Sequence, residues 1–418
     1  MQMYALKSAL KWFRKGANNL AHYKMLDGNA AVVESMKMVK VQVISAYPIT
    51  PQSSISEKLA DCVVDGSLDA KYIRVESEHS AMSCCIGAQL TGVRAATATA
   101  SNGLALMHEV VCMASGVRAP IVMPIVNRSI ASPWSLWCDH QDSMSERDSG
   151  WLQFYCENVQ DIYDMMLCAY RIAEDHRVLT PAMVCLDGFF LSHSMQKVLL
   201  PEQNEVDDFV GAYKPGNYVL NPEDPMIINN LTPPAEITEM KWQQAQAFKA
   251  SKEVMAEVFA EFEKRFGRRK SAVEGYMTED AEIVLVTLGS MSGTAKYVVD
   301  QLRAKGQKVG VAKITCFRPF PNEMLQEVVG NAAKIAVVDR TTGFGGQGTP
   351  LWLEVKSALS GDKQIKNYIA GLAGRDISTD TLERIVADID AEQEKVFTEP
   401  VWIDCATEKA FKVREVTL

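Results

Sequence analysis

Between residues 28 and 200, short and almost uniformly apolar runs alternate with longer stretches whose apolar residues recur at i, i+3, i+4 and i+7. The first pattern suits strands covered on both faces and the second suits helices with one buried stripe. The alternation therefore predicts a parallel sheet with crossover helices. Strands are expected at 41–46, 71–75, 95–100, 121–126 and 182–186, and helices at 53–64, 79–91, 104–115 and 159–175. Prolines and acids crowd 200–235, which reads as a linker over a surface, and the charged stretch 235–270 reads as one long amphipathic helix. A second α/β unit begins at Glu282, with strands at 283–288, 308–313 and 334–338 and helices at 294–305, 322–329 and 351–359. No short period repeats along the chain, which argues against a solenoid. The expected division is an N-terminal arm (1–27), a first α/β domain (28–200), a linker with a long helix (201–275) and a second α/β domain (276–418).

Charge narrows the function classes. A net charge of −9 argues against a nucleic-acid partner, which needs a basic patch to replace phosphate counterions. No apolar run is long enough for a membrane-spanning helix, and a cytoplasmic location is expected. The arm departs from the average: Lys7, Lys11, Arg14, Lys15 and Lys24 accompany Leu6, Leu10 and Phe13 at helical spacing, without an acid through residue 26. It reads as a segment packed on a partner subunit, with a targeting peptide or a membrane-surface helix as the alternatives. The ten cysteines form no C-x-x-C pair, and Cys112, Cys168 and Cys185 sit in apolar stretches, as buried thiols of a reducing compartment do. The clustered cysteines of a ferredoxin-type run are absent, so in any redox chemistry the electrons must leave through another chain.

Four segments place polar groups at expected strand ends, where open α/β sheets bind ligands. In Tyr47-Pro48-Ile49-Thr50-Pro51 two prolines stiffen the turn and hold the Thr50 hydroxyl in place. The plain alternative is a proline-terminated strand with Thr50 as a helix cap. In Arg74-Val-Glu76-Ser-Glu78-His79 a carboxylate is available as a salt-bridge partner, a cap or a buried proton partner. The turn 97–103, with Ser101 and Asn102, offers backbone N–H groups to an anion or a heterocycle. Arg128 directly follows an apolar strand, suited to bidentate capture of a carboxylate, and Trp134, Trp137 and the run 139–148 come after it. His140 has no second histidine at ligand spacing and reads as a structural histidine, so no metal site is expected in this chain. Gly343-Phe-Gly345-Gly-Gln-Gly348 matches a dinucleotide fingerprint in letters, but the next expected strand ends in Ala-Gly-Arg without the required acid, so it reads as a tight loop.

Taken in order, AYPITP, RVESEHSAM, TATASNGLALMHE, PIVNR, DHQDSMSERDSGW and CLDGFFLSH, continued by LGSMSGTAK, FRPFP, VVDR and YIAGLAGRD, closely resemble the α subunit of the 2-oxoacid:ferredoxin oxidoreductases. The resemblance runs from Gly28 to about Asp390. It implies a pyrimidine-binding domain of the thiamine-enzyme type followed by a transketolase C-terminal-like domain. It also implies oxidative decarboxylation of a 2-oxo acid with thiamine diphosphate, electrons passing to iron–sulfur clusters and the acyl group to coenzyme A. By motif, Glu78 is the carboxylate on the pyrimidine ring nitrogen, while Thr50 and Arg128 hold the substrate's carboxylate and oxo groups. Tyr47, Pro48, Ile49, Ser101 and Asn102 are expected to line the cofactor; Trp134 and Trp137, just past Arg128, are expected to line a broad aromatic pocket for the substrate, the plainer reading being core or interface aromatics. The diphosphate-and-magnesium motif of thiamine enzymes is missing, Asp27-Gly28-Asn29 and Asp187-Gly188 being superficial matches. Mg²⁺ and [4Fe-4S] clusters are therefore expected on partner chains: a β subunit holding the diphosphate, a γ subunit and a ferredoxin-like δ subunit. Ferredoxin or NAD is the expected acceptor. Two alternatives stand: the same chemistry on an aryl 2-oxo acid such as phenylglyoxylate, and a non-catalytic assembly subunit.

Overall fold

The computed structural model describes residues 22–216, 219–359, 361–394, 396–397 and 399–406. In chain order the first unit contains β1 (His22–Leu26), α1 (Gly28–Met38), β2 (Val43–Ala46), α2 (Ser53–Val64), β3 (Lys71–Arg74), α3 (Glu78–Leu90), β4 (Ala95–Ala96), α4 (Ser101–Leu106), α5 (His108–Gly116) and β5 (Val122–Asn127). It continues with α6 (Gln141–Ser145), β6 (Leu152–Tyr155), α7 (Val159–Ala173), β7 (Ala182–Asp187) and β8 (Gln196–Leu200). After α8 (Gln203–Val210) comes α9 (Pro234–Phe266), 33 residues long. The second unit holds β9 (Val273–Tyr276), β10 (Ile283–Leu288), α10 (Met291–Ala304), β11 (Val309–Ile314), β12 (Cys316–Arg318), α11 (Asn322–Val329) and β13 (Lys334–Asp339). It ends with α12 (Pro350–Ala358), β14 (Gln364–Ile369), α13 (Thr379–Ala391) and β15 (Val401–Trp402). No helix among the described residues is long and apolar enough to cross a membrane.

The first unit's strands β3, β2 and β4 are parallel neighbours, and β5, β7 and β6 form a second parallel set. A bridge joins the two sets: Thr99 N–H donates to the Pro124 carbonyl (3.3 Å) and Val126 N–H to the Thr99 carbonyl (3.0 Å). The far edge of this sheet is closed by β12, which reaches across from the second unit and pairs antiparallel with β6. The second sheet runs β15-β14-β13-β10-β11-β9, parallel except for β9. Every residue of β5, β7, β10 and β11 is buried, which is why those runs are apolar throughout and read as strands. Proline in the first turn of α9 fits where no intrahelical donor is needed, and Gly267 ends the helix at φ +68°.

The α/β class and the order of elements agree with the pattern, and several boundaries do not. The helix expected at 104–115 starts earlier and is interrupted at Met107, whose N–H is shared between the Gly103 and Leu104 carbonyls. The strand expected at 95–100 forms a regular ladder only at Ala95–Ala96 before bending to the Thr99 bridge. Within 200–235, read as a linker, α8 forms with a capping box of Glu202 and Glu205. At the end of the expected arm, residues 22–26 are a strand paired with β8 and Asp27 caps α1; residues 1–21 lie outside the described residues.

The two units meet over buried charge. Lys313 on β11 lies 3.2 Å from Asp161 and from Glu157 and 3.1 Å from Glu274, while Lys270 lies 2.7 Å from Asp161. Burial opposes the charge on Lys313, but Asp161, Glu274 and Glu157 outweigh it and hold the ammonium above its ordinary range. Burial likewise works against ionised Asp161, and Lys270 and Lys313 overcome it and hold the carboxyl well below the carboxylate range. Breaking such a set by removing one partner leaves uncompensated charge indoors. Lys313→Met should therefore lower the unfolding free energy by about 3–5 kcal/mol in a urea titration of the chain. A loss below about 1 kcal/mol, typical of an exposed pair, would count against a buried network.

Candidate active site

Thr50, Glu78, Ser101 and Arg128 follow β2, β3, β4 and β5, so parallel strands deliver all four to one edge of the first sheet. The turn after β2 is held from inside by buried Gln52, which donates through Nε2 to the Tyr47 carbonyl (2.9 Å) and through its N–H to the Ile49 carbonyl (2.8 Å). Asn29 donates to the Pro51 carbonyl at 2.8 Å. Tyr47 and Ile49 are half-buried, Pro48 and Thr50 exposed. Arg128 closes over this turn: its Nη1 donates to the Thr50 carbonyl and its Nε to the Ser135 carbonyl, both at 2.9 Å. The guanidinium is thus fixed as a plane beside Thr50, with its remaining N–H groups unassigned among the described residues.

Glu78 opens α3, next to Ser77, whose hydroxyl accepts the Ser80 N–H (3.2 Å) and caps the helix. A carboxylate in the first turn suits the positive end of the helix dipole. Glu78 is only 6% exposed, and no group among the described residues donates to its carboxylate. The reason it fits lies on α4: a Cβ at Gly103 would stand 2.5 Å from Glu78 Oε1 and 2.7 Å from Thr99 Oγ1. Thr99 Oγ1 is itself buried without a partner. The carboxylate packs over bare glycine backbone, with its bonding capacity left open among the described residues.

Ser101 and Asn102 face the loop after Arg128. Ser101 has φ +50°, the left-handed region; its N–H donates to Asp142 (2.9 Å) and its Oγ to the Ser129 carbonyl (2.5 Å). Asn102 Oδ1 accepts the Ala131 N–H at 3.0 Å. Within the run 139–148 the sequence does not set Asp142 apart, yet it is fully buried where β5, α4 and α6 meet. Burial pushes its carboxyl up to about 6, against hydrogen bonds from Asn127, Arg128 and Ser101. An acid followed by small polar residues, at the start of a short helix, was the only signal available for it.

Behind the strand ends lies a second buried carboxylate. Asp187 at the end of β7 is 2.8 Å from His140 Nε2, accepts the Ser290 hydroxyl at 2.5 Å and lies 3.7 Å from Arg340. Burial opposes its ionisation, and His140 and Arg340 overcome that and hold it below the carboxylate range. One ligand atom each from Cys138, His140 and Asp187 falls within 4.8 Å of the others, but His140 bonds Asp187 directly and the Arg340 cation already neutralises it. Trp134 and Trp137 are 78% and 55% exposed, with Trp137 beside Phe189 at 6.4 Å between ring centroids. The glycine run folds back so that a Cβ on Gly343 would strike the Gly348 carbonyl, the geometry of a tight loop.

Comparison with known proteins adds an independent line. The family model described as pyruvate flavodoxin/ferredoxin oxidoreductase, thiamine-diphosphate-binding, matches residues 34–260, and that of pyruvate:ferredoxin oxidoreductase core domain II matches 281–382. Pyruvate synthase subunit PorA of Methanothermobacter thermautotrophicus is 48% identical over 363 residues, covering 87% of this chain and 94% of the relative. Ketoisovalerate oxidoreductase subunit VorA of Pyrococcus abyssi is 46% identical over 370 residues, covering 88% and 93%. Among solved structures, the 2-oxoglutarate:ferredoxin oxidoreductase of Magnetococcus marinus superposes with a TM-score of 0.68 at 20% identity, over 88% of this chain and 65% of that one, a likeness of fold.

Gly103 gives a direct test of the geometry. Gly103→Ala forces a methyl into the Glu78 carboxylate, and overpacking of this kind costs about 1–3 kcal/mol. A thermal melt should show that loss, and a crystal structure of the variant should show the carboxylate displaced. An unmoved Glu78 would contradict the packing described above.

Proposed function

This chain is an α-type subunit of the 2-oxoacid:ferredoxin oxidoreductase family, and on that premise we propose that it forms one wall of a shared thiamine diphosphate site that oxidatively decarboxylates pyruvate. The observation that carries the proposal is the Glu78 carboxylate, buried against Gly103 with no donor among the described residues, one strand away from Thr50, whose carbonyl Arg128 holds. The family model's thiamine diphosphate fits that arrangement. Glu78 is suited to the pyrimidine ring, with Tyr47, Pro48, Ile49, Ser101 and Asn102 around it. Bound there, thiamine diphosphate supplies the carbon nucleophile and electron sink that a 2-oxo acid needs to lose CO₂.

The chain's own groups do the positioning. Glu78, packed against the start of α4, would hydrogen-bond the pyrimidine ring nitrogen. Arg128 offers a planar, permanently charged donor set to the substrate carboxylate, and Thr50 a hydroxyl to its oxo group. In the balanced reaction the 2-oxo acid and coenzyme A yield acyl-coenzyme A, CO₂ and a proton, while two electrons reduce two one-electron acceptors. The electrons leave through [4Fe-4S] clusters on partner subunits, since all ten cysteines here are free and scattered. Mg²⁺ and the diphosphate belong to a β subunit by the same reading: Asp27 caps α1 through the Ala30 N–H (2.6 Å), and Asp187 is consumed by His140, so neither resembles an open metal ligand.

Pyruvate is the first choice because both family models carry its name, although VorA, a ketoisovalerate subunit, is nearly as similar as PorA. The exposed Trp134 and Trp137 favour the second reading, a pocket wide enough for an aryl 2-oxo acid. The test is to purify the complex through a tag on this chain and assay pyruvate, 2-oxoisovalerate, 2-oxoglutarate and phenylglyoxylate with coenzyme A. Ferredoxin, a low-potential dye and NAD are supplied in turn. Pyruvate should give the highest kcat/KM, and the isolated chain should be inactive. Glu78→Ala should lower turnover of the assembled complex about 10²–10⁴-fold. Oxidation of none of the four acids would end the proposal, and unchanged turnover in Glu78→Ala would point to an assembly role.

A further inference from the structure

The fully buried Asp142 carboxylate receives four N–H donors from three places in the fold. Oδ2 accepts the backbone N–H of Ser101 (2.9 Å) and of Arg128 (3.0 Å). Oδ1 accepts Asn127 Nδ2 and the backbone N–H of Ser143, each at 2.8 Å. One carboxylate thereby ties the left-handed turn that opens α4 to the end of β5 that carries Arg128. Ser143 extends the brace: its Oγ accepts Asn127 Nδ2 at 2.8 Å and shares a hydrogen bond with the Tyr155 hydroxyl at 2.7 Å. Gln153 Nε2 donates to the Ser143 carbonyl at 2.8 Å, so the clamp is anchored on β6 as well.

Arg128 needs such a clamp. Its guanidinium is fixed at the far end by the Thr50 and Ser135 carbonyls, but its backbone leaves the sheet immediately after Asn127. On the α4 side, Ser101 stands in a conformation that a side chain rarely adopts, and the Asp142 and Ser129 bonds hold it there. We propose that Asp142 is a positioning residue for the 2-oxo acid, setting the distance between Arg128 and the Ser101 to Gly103 turn under Glu78. The inference rests on the reading of the site as a 2-oxo acid site and adds a residue that never touches substrate.

The chemistry of the clamp makes it specific for an ionised acid. Two N–H donors on each oxygen leave no position for a proton without displacing one of them. Burial nevertheless raises the Asp142 carboxyl to about 6. The groups facing it are the Arg128 cation, Asp139 and Glu146 on its own segment, Cys138, Tyr155 on β6 and Cys185 on β7. As pH falls through 6 the carboxyl gains a proton, a donor is expelled, and Arg128 loses its register.

The test compares the wild-type complex with Asp142→Asn, measuring kcat, both KM values and the pH profile per assembled complex. Asp142→Asn keeps the shape but turns an NH₂ toward two donors whichever way the amide faces. The KM for the 2-oxo acid should rise and kcat/KM fall about 100-fold, as for a misplacement of about 1 Å, with the KM for coenzyme A unmoved. The acid limb near pH 6 should disappear in the variant. In an Arg128→Ala background the same substitution should add less than about threefold, because residues acting through one another are not additive. If Asp142→Asn fails to assemble, Asn127→Ala removes one donor and keeps the acid, and should raise the same KM about tenfold. Equal penalties with and without Arg128, or KM values that shift together, would overturn the positioning role. A wild-type complex that oxidises no 2-oxo acid removes the site reading and this inference together, whereas an active wild type with an indifferent Asp142→Asn removes this inference alone.

Discussion

Charge buried where the two α/β units meet is the constraint from which much of this structure follows. Asp161 and Lys270 are nearly enclosed, and Lys313 comes to them from β11 of the other unit. Asp187 repeats the arrangement at the strand ends, with His140 on its own unit and Ser290 and Arg340 on the second. An ionised group stripped of water is tolerated only when its partner is in place, so neither unit satisfies its interior alone. The exchange of β12 onto the edge of the first sheet expresses the same dependence in backbone hydrogen bonds.

That coupling matters at the site because the candidate residues belong to strand ends, the least constrained part of a sheet. Each is held by something other than its own strand. Gln52 and Asn29 fix the turn carrying Thr50, Ser77 and bare Gly103 set Glu78, and the Thr50 and Ser135 carbonyls orient Arg128. In the proposed roles, the guanidinium and the carboxylate are useful only when held to within a fraction of an ångström, which loops achieve through buried polar anchors.

The same bonding explains why the proposed site is half a site. The acids that superficially match a diphosphate-binding motif are already committed, Asp27 to a helix cap and Asp187 to His140 and Ser290. Gly188 is pressed against Pro51, where a Cβ would come within 2.9 Å of its ring. Those groups are spent on holding the fold, and on the proposed reading the chemistry they would supply comes from another chain, which would cover the exposed Thr50, Trp134 and Trp137.

The sequence by itself determined the class of fold, the buried strands and the motifs Thr50, Glu78 and Arg128, because hydrophobic period and short polar turns are local properties. The strand 283–288 and the helices 53–64 and 322–329 were legible to the residue for that reason. The short strand Leu152–Tyr155 was not, since three apolar residues around a buried glutamine become a strand only beside β7 and a segment some 160 residues later. Asp142 and Gly103 were equally silent: one is an ordinary acid and the other an ordinary glycine until the chain brings four donors to the first and a carboxylate to the second. Which carboxylates are buried, which are satisfied and which one is left open was decided only by tertiary structure, because desolvation and hydrogen-bond supply depend on neighbours that the linear order does not contain.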